Sequence, residues 1–284
     1  MTFHKYLTVV LITHKSTDKA IKFIRNLSKN VKVIIIDNSN DLNLKDAIDS
    51  NHSNVQIYLI KNNGYGASIN FARKKIKSQY FWVFNPDVEN INDTLLEKFY
   101  QISLMLESQF SCLGPRFSNI DQKSLRQSNN QKEIAEIKSI SGASMYFKTL
   151  TFDKVGGFDE NFFLYFEETD YCKRANQKGY KCYQINTVIV GHERGTSVKC
   201  QSYEELEELK KLYTWHFIWS KYYYYKKHYG QLLSLMYFSP TIIRILFRII
   251  TNIFSSNKKQ KTKYLIRFNG LYNSVLGRSS HKRI

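Results

Sequence analysis

Three segments of the 284-residue chain carry carboxylate, amide or imidazole groups at spacings that suit metal-assisted or acid–base chemistry. The first, Asn85-Pro86-Asp87, follows an apolar run. Proline keeps Asn85 out of the helical conformation, so the run ends extended, with Asp87 just beyond it. A carboxylate beside an amide oxygen suits a hard divalent cation that takes its other ligands from a diphosphate. The same tripeptide also fits an ordinary turn or a helix cap.

The second segment places three carboxylates, those of Glu167, Glu168 and Asp170, directly after the aromatic-rich residues 162–166. A helix that begins at residue 167 puts Glu167 and Asp170 on one face and directs Glu168 elsewhere. Carboxylates crowded beside aromatic side chains suit a general base. The alternative is an acidic helix start that complements the helix dipole, with Arg174 pairing to Asp170 four residues away.

The third segment begins at His192, which ends an apolar run and precedes a polar loop. Imidazole at a strand end is a plausible metal ligand, although a single histidine is more often structural. Arg194 and Lys199 of the same loop suit contact with phosphate charge.

The elements that must position these groups form an alternating pattern. Short apolar runs, rich in β-branched or aromatic residues, predict buried strands at 7–13, 31–37, 55–60 and 80–85, and the segments between them predict helices at 17–29, 42–50 and 67–78. This alternation predicts an α/β fold, a mostly parallel sheet with helices on both faces. Polar residues follow each strand, where ligands bind in open parallel sheets, although such residues also simply form turns.

The second half of the chain is less regular. We expect a helix at 95–110, a strand with a tight glycine bend at 139–149, and helices over 167–178 and 203–228. The Lys-rich piece 256–263 is interpreted as a linker.

Charge separates the chain into two parts. Residues 209–284 hold 15 of the 42 Lys and Arg and none of the 24 acidic residues, so they carry +15 of the net +18. Such a cationic region needs an anionic surface, which is either a membrane or a nucleic acid. Because the sequence has no RNA-recognition motif, a membrane surface is the favoured partner and RNA the alternative. Four cysteines without a CxxC pair fit reduced, cytosolic thiols.

The most apolar stretch, 231–254, approaches the length of a membrane span but contains Pro240, Arg244 and Arg248. Each arginine near the centre of a span would cost roughly 2.5–3.5 kcal/mol. We therefore predict an amphipathic helix lying in the plane of an anionic leaflet, with the arginines on one face. Its isoleucines are expected to line the other side: Ile242, Ile245, Ile249 and Ile253. The alternatives are a helix packed on the catalytic domain and a true span.

Seven pieces of sequence, in this order, carry a family resemblance: TVVLIT, IIIDNSN, NNGYGASINFA, FNPDV, SGASMYF, VGGFDENFFLYFEETDYCKRA and GHERGTS. Together they resemble the family 2 glycosyltransferases with the GT-A fold, in particular the rhamnosyltransferase-like and galactofuranosyltransferase-like enzymes that build bacterial surface glycans. The resemblance covers roughly residues 7–200. It implies a Rossmann-like GT-A catalytic domain at 1–202, with a nucleotide-binding half to about residue 110 and an acceptor half at 111–202, and a helical, membrane-associating region at 203–284.

The resemblance also implies a role for each motif residue. Glu168 is the catalytic base, with Asp170 beside it shaping the acceptor site, and Asp87 and His192 hold Mg²⁺ or Mn²⁺. The donor nucleotide contacts the remaining residues: Thr13, Asp37, Asn63, Gly64, Asn70, Arg73, Asn85 and Ser197. Two positions depart from the family pattern, since Asn85 stands where Asp is common and Glu168 where Asp is more usual.

The implied reaction is an inverting transfer of a sugar, rhamnose as first expectation, from a dTDP or UDP diphosphate to a glycan that is often lipid-linked. The implied location is cytoplasmic, peripheral on the inner face of the cell membrane, with no nucleic-acid partner. A catalytically degenerate homologue is the alternative within the same family.

Overall fold

The computed structural model describes residues 3–49, 52–106, 110–118, 132–193, 197–252 and 257–283. The described strands are β1 Leu7–Thr13, β2 Lys32–Asp37, β3 Val55–Leu59, β4 Tyr80–Phe84, β5 Val88–Glu89, β6 Phe110–Phe117, β7 Ile134–Glu136, β8 Ser144–Lys148 and β9 Lys181–His192. The described helices are α1 Thr17–Arg25, α2 Leu42–Asp49, α3 Tyr65–Arg73, α4 Asp93–Met105, α5 Thr149–Val155, α6 Glu167–Gln177, α7 Tyr203–Tyr229, α8 Gln231–Thr251 and α9 Lys258–Val275.

The strands form a single mixed sheet in the order β3-β2-β1-β4-β8-β6-β9-β5, with β7 paired to β9. The first four strands pair in parallel, as β1 with β2, β1 with β4 and β2 with β3, which confirms the predicted α/β alternation. Antiparallel β8 joins β4 to the second half. All four parallel strands therefore end at one edge of the sheet, where the predicted polar residues follow.

Hydrophobic residues cover both faces of this sheet, because buried parallel strands alternate their side chains between two cores. One core receives Phe23 of α1 and Phe99 of α4. The opposite core receives Ile69 of α3, Phe152 of α5 and Tyr171 of α6. The prediction of helices on both faces is thus confirmed.

The helix boundaries depart from the predicted ones at several places. Helix α4 spans Asp93–Met105 rather than 95–110, and Phe110 already belongs to β6. Helix α1 ends at Arg25, before the predicted residue 29, because the chain turns through hydrogen bonds from Leu27 N to Ile24 O and from Val31 N to Ser28 O. Helix α3 begins earlier than predicted, at Tyr65, directly after Gly64. Gly64 has φ +111°, a conformation that residues with a Cβ rarely adopt.

The chain divides into two compact units, one of residues 1–159 with 168–199 and a second of residues 160–167 with 200–284. Within the second unit, helices α7, α8 and α9 surround a small core that includes Tyr222, Phe238 and Ile245. Gly270 of α9 lies against α7 so closely that a Cβ there would stand 2.8 Å from Trp215 O. This close approach explains why a glycine interrupts an otherwise ordinary helical sequence.

The linker predicted at 256–263 is wrong for its described residues. Lys258 begins α9, and the side chain of Asn257 caps the helix by accepting a hydrogen bond from Gln260 N at 3.1 Å. The lysines belong to the first turns of a helix because Asn257 supplies the cap, a signal that the run of like charges conceals.

Candidate active site

The ends of β1 and β2 bring Thr13 and Asp37 together at the carboxyl edge of the sheet. Thr13 Oγ1 donates a hydrogen bond to Asp37 Oδ1 at 2.9 Å, and both residues are buried. Asp37 Oδ2 accepts from the backbone amides of Ser39 and Asp41 at 2.9 and 3.0 Å. The Asp37 carboxylate therefore fixes the shape of the loop after β2, in the manner of an Asx turn.

The third strand end places Asn63 and Gly64 at the same edge. Asn63 is exposed, and Gly64 is buried immediately before the first turn of α3. Ser68 of that helix donates a hydrogen bond from its Oγ to Asn38 Oδ1 at 2.9 Å, which ties α3 to the loop after β2. A helix N-terminus with a glycine before it can approach an anion closely.

Asn70 and Arg73 make contacts elsewhere. The side chain of Asn70 both donates to Phe158 O and accepts from Phe158 N, each at 2.9 Å. Arg73 ends α3, about 12 Å along the helix from its start, and forms a bidentate pair with Asp153 at 2.8 and 2.6 Å. The structure thus ties Asn70 and Arg73 to the segment that contains α5, rather than to the edge where Gly64 lies.

Asp87, His192 and Ser197 form one cluster. Strand β5 pairs Val88 with His192, which brings the neighbouring Asp87 beside the imidazole. His192 Nε2 lies 3.3 Å from Asp87 Oδ1, and Ser197 Oγ donates to Asp87 Oδ2 at 2.5 Å. The side chain of Asp87 is fully buried, and that of His192 is 11% exposed. Asn85 precedes the cluster, with its backbone N–H bonded to Ala143 O.

The donor set of this cluster fits a divalent cation. Among the described residues, Asp87 Oδ1 and His192 Nδ1 are buried atoms that form no hydrogen bond, and the nearest charged partner of Asp87 Oδ1 is His192 Nε2 at 3.3 Å. An ionised oxygen in that situation is costly unless a cation or another donor meets it. The described residues contain no group of three or more His, Cys, Asp or Glu that could hold a metal. Two protein ligands suit a cation whose other ligands come from a diphosphate and water.

The phosphate contacts predicted for the loop after His192 concern Arg194 and Lys199. Arg194 lies outside the described residues. Lys199 pairs through its Nζ with Asp18 Oδ2 at 2.8 Å, and both side chains are largely exposed. A cavity of about 350 Å³ beside Asp87 is bounded by α1 and by the residues around β5. The sequence does not indicate this cavity, because its walls come from separate parts of the chain.

The three carboxylates at the start of α6 differ in their exposure to solvent. Glu167 and Asp170 are buried on one side, whereas Glu168 is partly exposed, as the helical spacing predicts. Glu168 Oε1 accepts from Thr169 Oγ1 at 2.9 Å, and Thr169 Oγ1 lies 3.2 Å from Ser139 Oγ. Of the three carboxylates, Glu168 is therefore the one that solvent reaches.

Asp170 forms the structural contact that the alternative interpretation predicted. It is fully buried, and its Oδ2 accepts from Arg174 Nε at 2.8 Å. The same guanidinium also donates to Val155 O and Gly157 O at 2.9 and 2.6 Å. Asp170 thereby anchors α6 to the end of α5.

Sequence reasoning missed the backbone conformation just before this helix. Tyr165 and Phe166 both have φ +70°, a region that bulky residues rarely occupy. Neither residue type signals a left-handed conformation, so nothing in the sequence identifies the turn.

Comparison with known proteins identifies the class of protein. Residues 8–175 match glycosyl transferase family 2, and because this match covers more than half of the chain, the protein belongs to that family. It is therefore a member of the glycosyltransferase class of enzymes. A similar protein is the low-salt glycan biosynthesis hexosyltransferase Agl10 of Haloferax volcanii, with 21% identity over 213 residues that form 66% of this chain and 67% of the relative.

Solved structures confirm the GT-A fold. S. aureus TarS 1-349, solved with UDP-GlcNAc, matches with a TM-score of 0.55 and 15% identity over 95% of this chain and 81% of the other. GalNAc-T7, solved with UDP, GalNAc and Mn²⁺, matches with a TM-score of 0.53 and 13% identity over 76% of this chain. The chain spans half the length of the GalNAc-T7 chain.

Proposed function

We propose that this protein is an inverting glycosyltransferase that moves a sugar from a dTDP or UDP diphosphate to a hydroxyl group of a glycan acceptor. The observation that carries the proposal is the cluster of Asp87, His192 and Ser197 beyond the strand ends. Relatives support it, since Agl10 is a hexosyltransferase of glycan biosynthesis and the structural neighbours were solved with UDP or UDP-GlcNAc. Rhamnose is the first candidate sugar because of the sequence resemblance alone, and a lipid-linked glycan is the candidate acceptor.

The residues of this chain divide the chemistry between them. Glu168 accepts the proton of the acceptor hydroxyl as its oxygen bonds to the anomeric carbon from the face opposite the diphosphate. The bond from that carbon to the diphosphate oxygen breaks, and the nucleoside diphosphate leaves with the electron pair. Asp87 and His192 would hold Mg²⁺ or Mn²⁺, which neutralises charge on a departing diphosphate when bound.

Thermal unfolding with UDP, dTDP, GDP and ATP, each with and without Mn²⁺, tests the donor site. A nucleotide present at a hundredfold excess over its Kd adds about 2.7 kcal/mol of stability. We expect a metal-dependent rise in melting temperature with UDP or dTDP that is lost in Asp87→Ala. Glu136→Ala serves as the control, because Glu136 lies on the surface in a pair with Lys181. An unchanged melting temperature with every nucleotide would contradict the assignment of the donor site and favour a catalytically degenerate homologue.

We further propose that the second unit binds the anionic inner face of the cell membrane through the outer side of α8. Helix α8 is 21 residues long, its most apolar 18-residue window has a mean hydropathy of 1.5, and by length and composition it is apolar enough to cross a membrane. Only 17% of its most apolar window is buried. The exposed side carries large apolar residues: Leu232, Leu233, Met236, Ile243, Leu246, Phe247 and Ile250. Arg244 and Arg248 are exposed beside them, where they suit lipid phosphates.

The isoleucines expected on the membrane side lie elsewhere. Ile242, Ile245 and Ile249 pack into the core between α8 and its two neighbours, and Ile253 lies outside the described residues. The register differs from the expectation because α8 is apolar on two sides, so that one side packs against α7 and α9 while another remains exposed.

Vesicle sedimentation tests the membrane surface. We expect the protein to bind phosphatidylglycerol vesicles more strongly than phosphatidylcholine vesicles, and Phe247→Glu to abolish this binding. Leu150→Glu is the matched control, because Leu150 is 59% exposed in the first unit. Equal binding by Phe247→Glu and the unaltered protein would contradict the assignment. Resistance to extraction by alkaline carbonate would indicate a spanning helix instead.

A further inference from the structure

The left-handed turn at Tyr165 and Phe166 sets the start of α6, and hence the position of Glu168. Both residues have φ +70°. Such a conformation is unfavourable for residues other than glycine, and it persists only where the surroundings hold it. Glu168 is the second residue of α6, and only Glu167 separates it from the turn.

Aromatic contacts from α7 hold this turn within the second unit. The Phe217 ring lies 5.6 Å from the ring of Tyr165 and 5.8 Å from that of Phe166. Ser220 Oγ donates a hydrogen bond to Leu164 O at 2.8 Å, which fixes the backbone just before the turn. The segment 160–167 thus belongs to the same compact unit as α7, although the sheet precedes and follows it in sequence.

The last residues of the chain add a second layer of support. His216 of α7 is fully buried, and its ring nitrogens lie 2.9 Å from Ser280 Oγ and 3.0 Å from Lys282 O. The imidazole ring of His216 also lies 4.7 Å from the ring of Phe163, measured between the ring centroids. Arg283 places its guanidinium 3.8 Å over that same Phe163 ring, the geometry of a cation–π contact.

We propose that residues 278–283, called here the C-terminal tail, are a positioning element for Glu168, acting through Phe163 and the left-handed turn. This inference rests on the proposed role of Glu168 as the base. Arg283 and Ser220 are the positioning residues, because each contacts the segment 160–167 without belonging to it.

The competing explanation is that the tail merely closes the core of the three helices. Arg278 separates the two explanations, because its backbone O accepts from Trp219 Nε1 at 3.1 Å and its guanidinium lies 5.9 Å from the Tyr272 ring. Those contacts join the tail to α7 and α9 only. Arg278→Ala therefore removes the same charge from the same tail while leaving the described contacts to the turn in place.

Steady-state kinetics of the full-length protein test the proposal, with nucleoside diphosphate release from UDP-GlcNAc, UDP-galactose and dTDP-rhamnose as the readout. We expect Arg283→Ala and Ser220→Ala to lower kcat at least fivefold while the donor KM stays within twofold. Arg283→Lys should retain most of kcat, since a cation remains over Phe163, and Arg278→Ala should match the unaltered protein. Hydrogen exchange supplies a second readout, with faster exchange at residues 164–168 in Arg283→Ala and unchanged exchange there in Arg278→Ala.

Unchanged kcat and unchanged exchange in both Arg283→Ala and Ser220→Ala would overturn the positioning role. Equal losses in Arg278→Ala and Arg283→Ala would also overturn it, because a general loss of packing then explains both. Glu168→Gln separates this failure from failure of the proposed base. If Glu168→Gln keeps full turnover, the base assignment fails; if it is inactive while Arg283→Ala is fully active, only the positioning role fails.

Discussion

Replacing each of two neighbouring carboxylates separates a catalytic role from a structural one. Asp170 is fully buried and pairs with Arg174, whose side chain is 19% exposed. Breaking a buried pair costs about 3–5 kcal/mol, because the remaining charge stays buried without its partner. The partial exposure of Arg174 favours the lower end, about 3 kcal/mol. For a chain of this size that loss corresponds to a fall in Tm of roughly 6–12 °C.

The assay compares urea unfolding and turnover in Asp170→Asn and Glu168→Gln. We expect Asp170→Asn to lose about 3 kcal/mol of unfolding free energy and to keep turnover in its folded fraction. Glu168→Gln should unfold within about 0.5 kcal/mol of the unaltered protein and lose a factor of roughly 10²–10⁴ in kcat. The reasoning is refuted if Asp170→Asn is as stable as the unaltered protein but inactive, because Asp170 would then act on the substrate.

Three further predictions follow from the described contacts. Burial lowers the pKa of His216 from 6.5 to about 4, so its contribution to stability, about 3 kcal/mol, is present above pH 6.5 and lost as the pH falls through 4. His216→Gln should therefore make the free energy of unfolding less dependent on pH over this range. An unchanged dependence on pH would contradict the prediction. Arg73→Ala should leave the UDP-induced rise in melting temperature intact and cost at most about 1 kcal/mol of stability, since Arg73 pairs with Asp153 on the surface; loss of UDP binding would show that it reaches the diphosphate. Gly270→Val should destabilise the three-helix core by about 1–3 kcal/mol, because a Cβ there meets Trp215 O at 2.8 Å; an unchanged free energy of unfolding would contradict this prediction.

Strands β1, β2 and β4 could be predicted from the sequence because nearly all of their residues are buried, whereas β5, β6 and β7 were not predicted. A segment such as 7–13 consists almost entirely of apolar or β-branched residues, and every residue of β1 is buried. Helix ends were less accessible to prediction, since α1 stops where backbone turns form and α9 begins at a cap within a charged run. These boundaries depend on single hydrogen bonds that a periodic pattern does not contain.

The local geometry around the candidate site could be predicted where neighbouring residues of one helix or strand determine it. Helical spacing correctly separated Glu168 from Asp170, and the strand end correctly placed Asp87. The sequence did not indicate that Asn70 would bind the backbone of Phe158, because that contact joins distant parts of the chain. The left-handed turn before α6 was equally hidden, since the packing that holds it comes from α7.

The position of the segment 160–167 also has a consequence for the order of folding. Its packing partners, α7 and the C-terminal tail, are synthesised after every strand of the sheet. Since domains generally fold as the chain emerges, N-terminal parts first, Asp87 and His192 can come together before the contacts that hold Tyr165 and Phe166 exist. A nascent chain would therefore bring Asp87 and His192 together first, and it would order the turn before α6 only after residues 278–283 have been made.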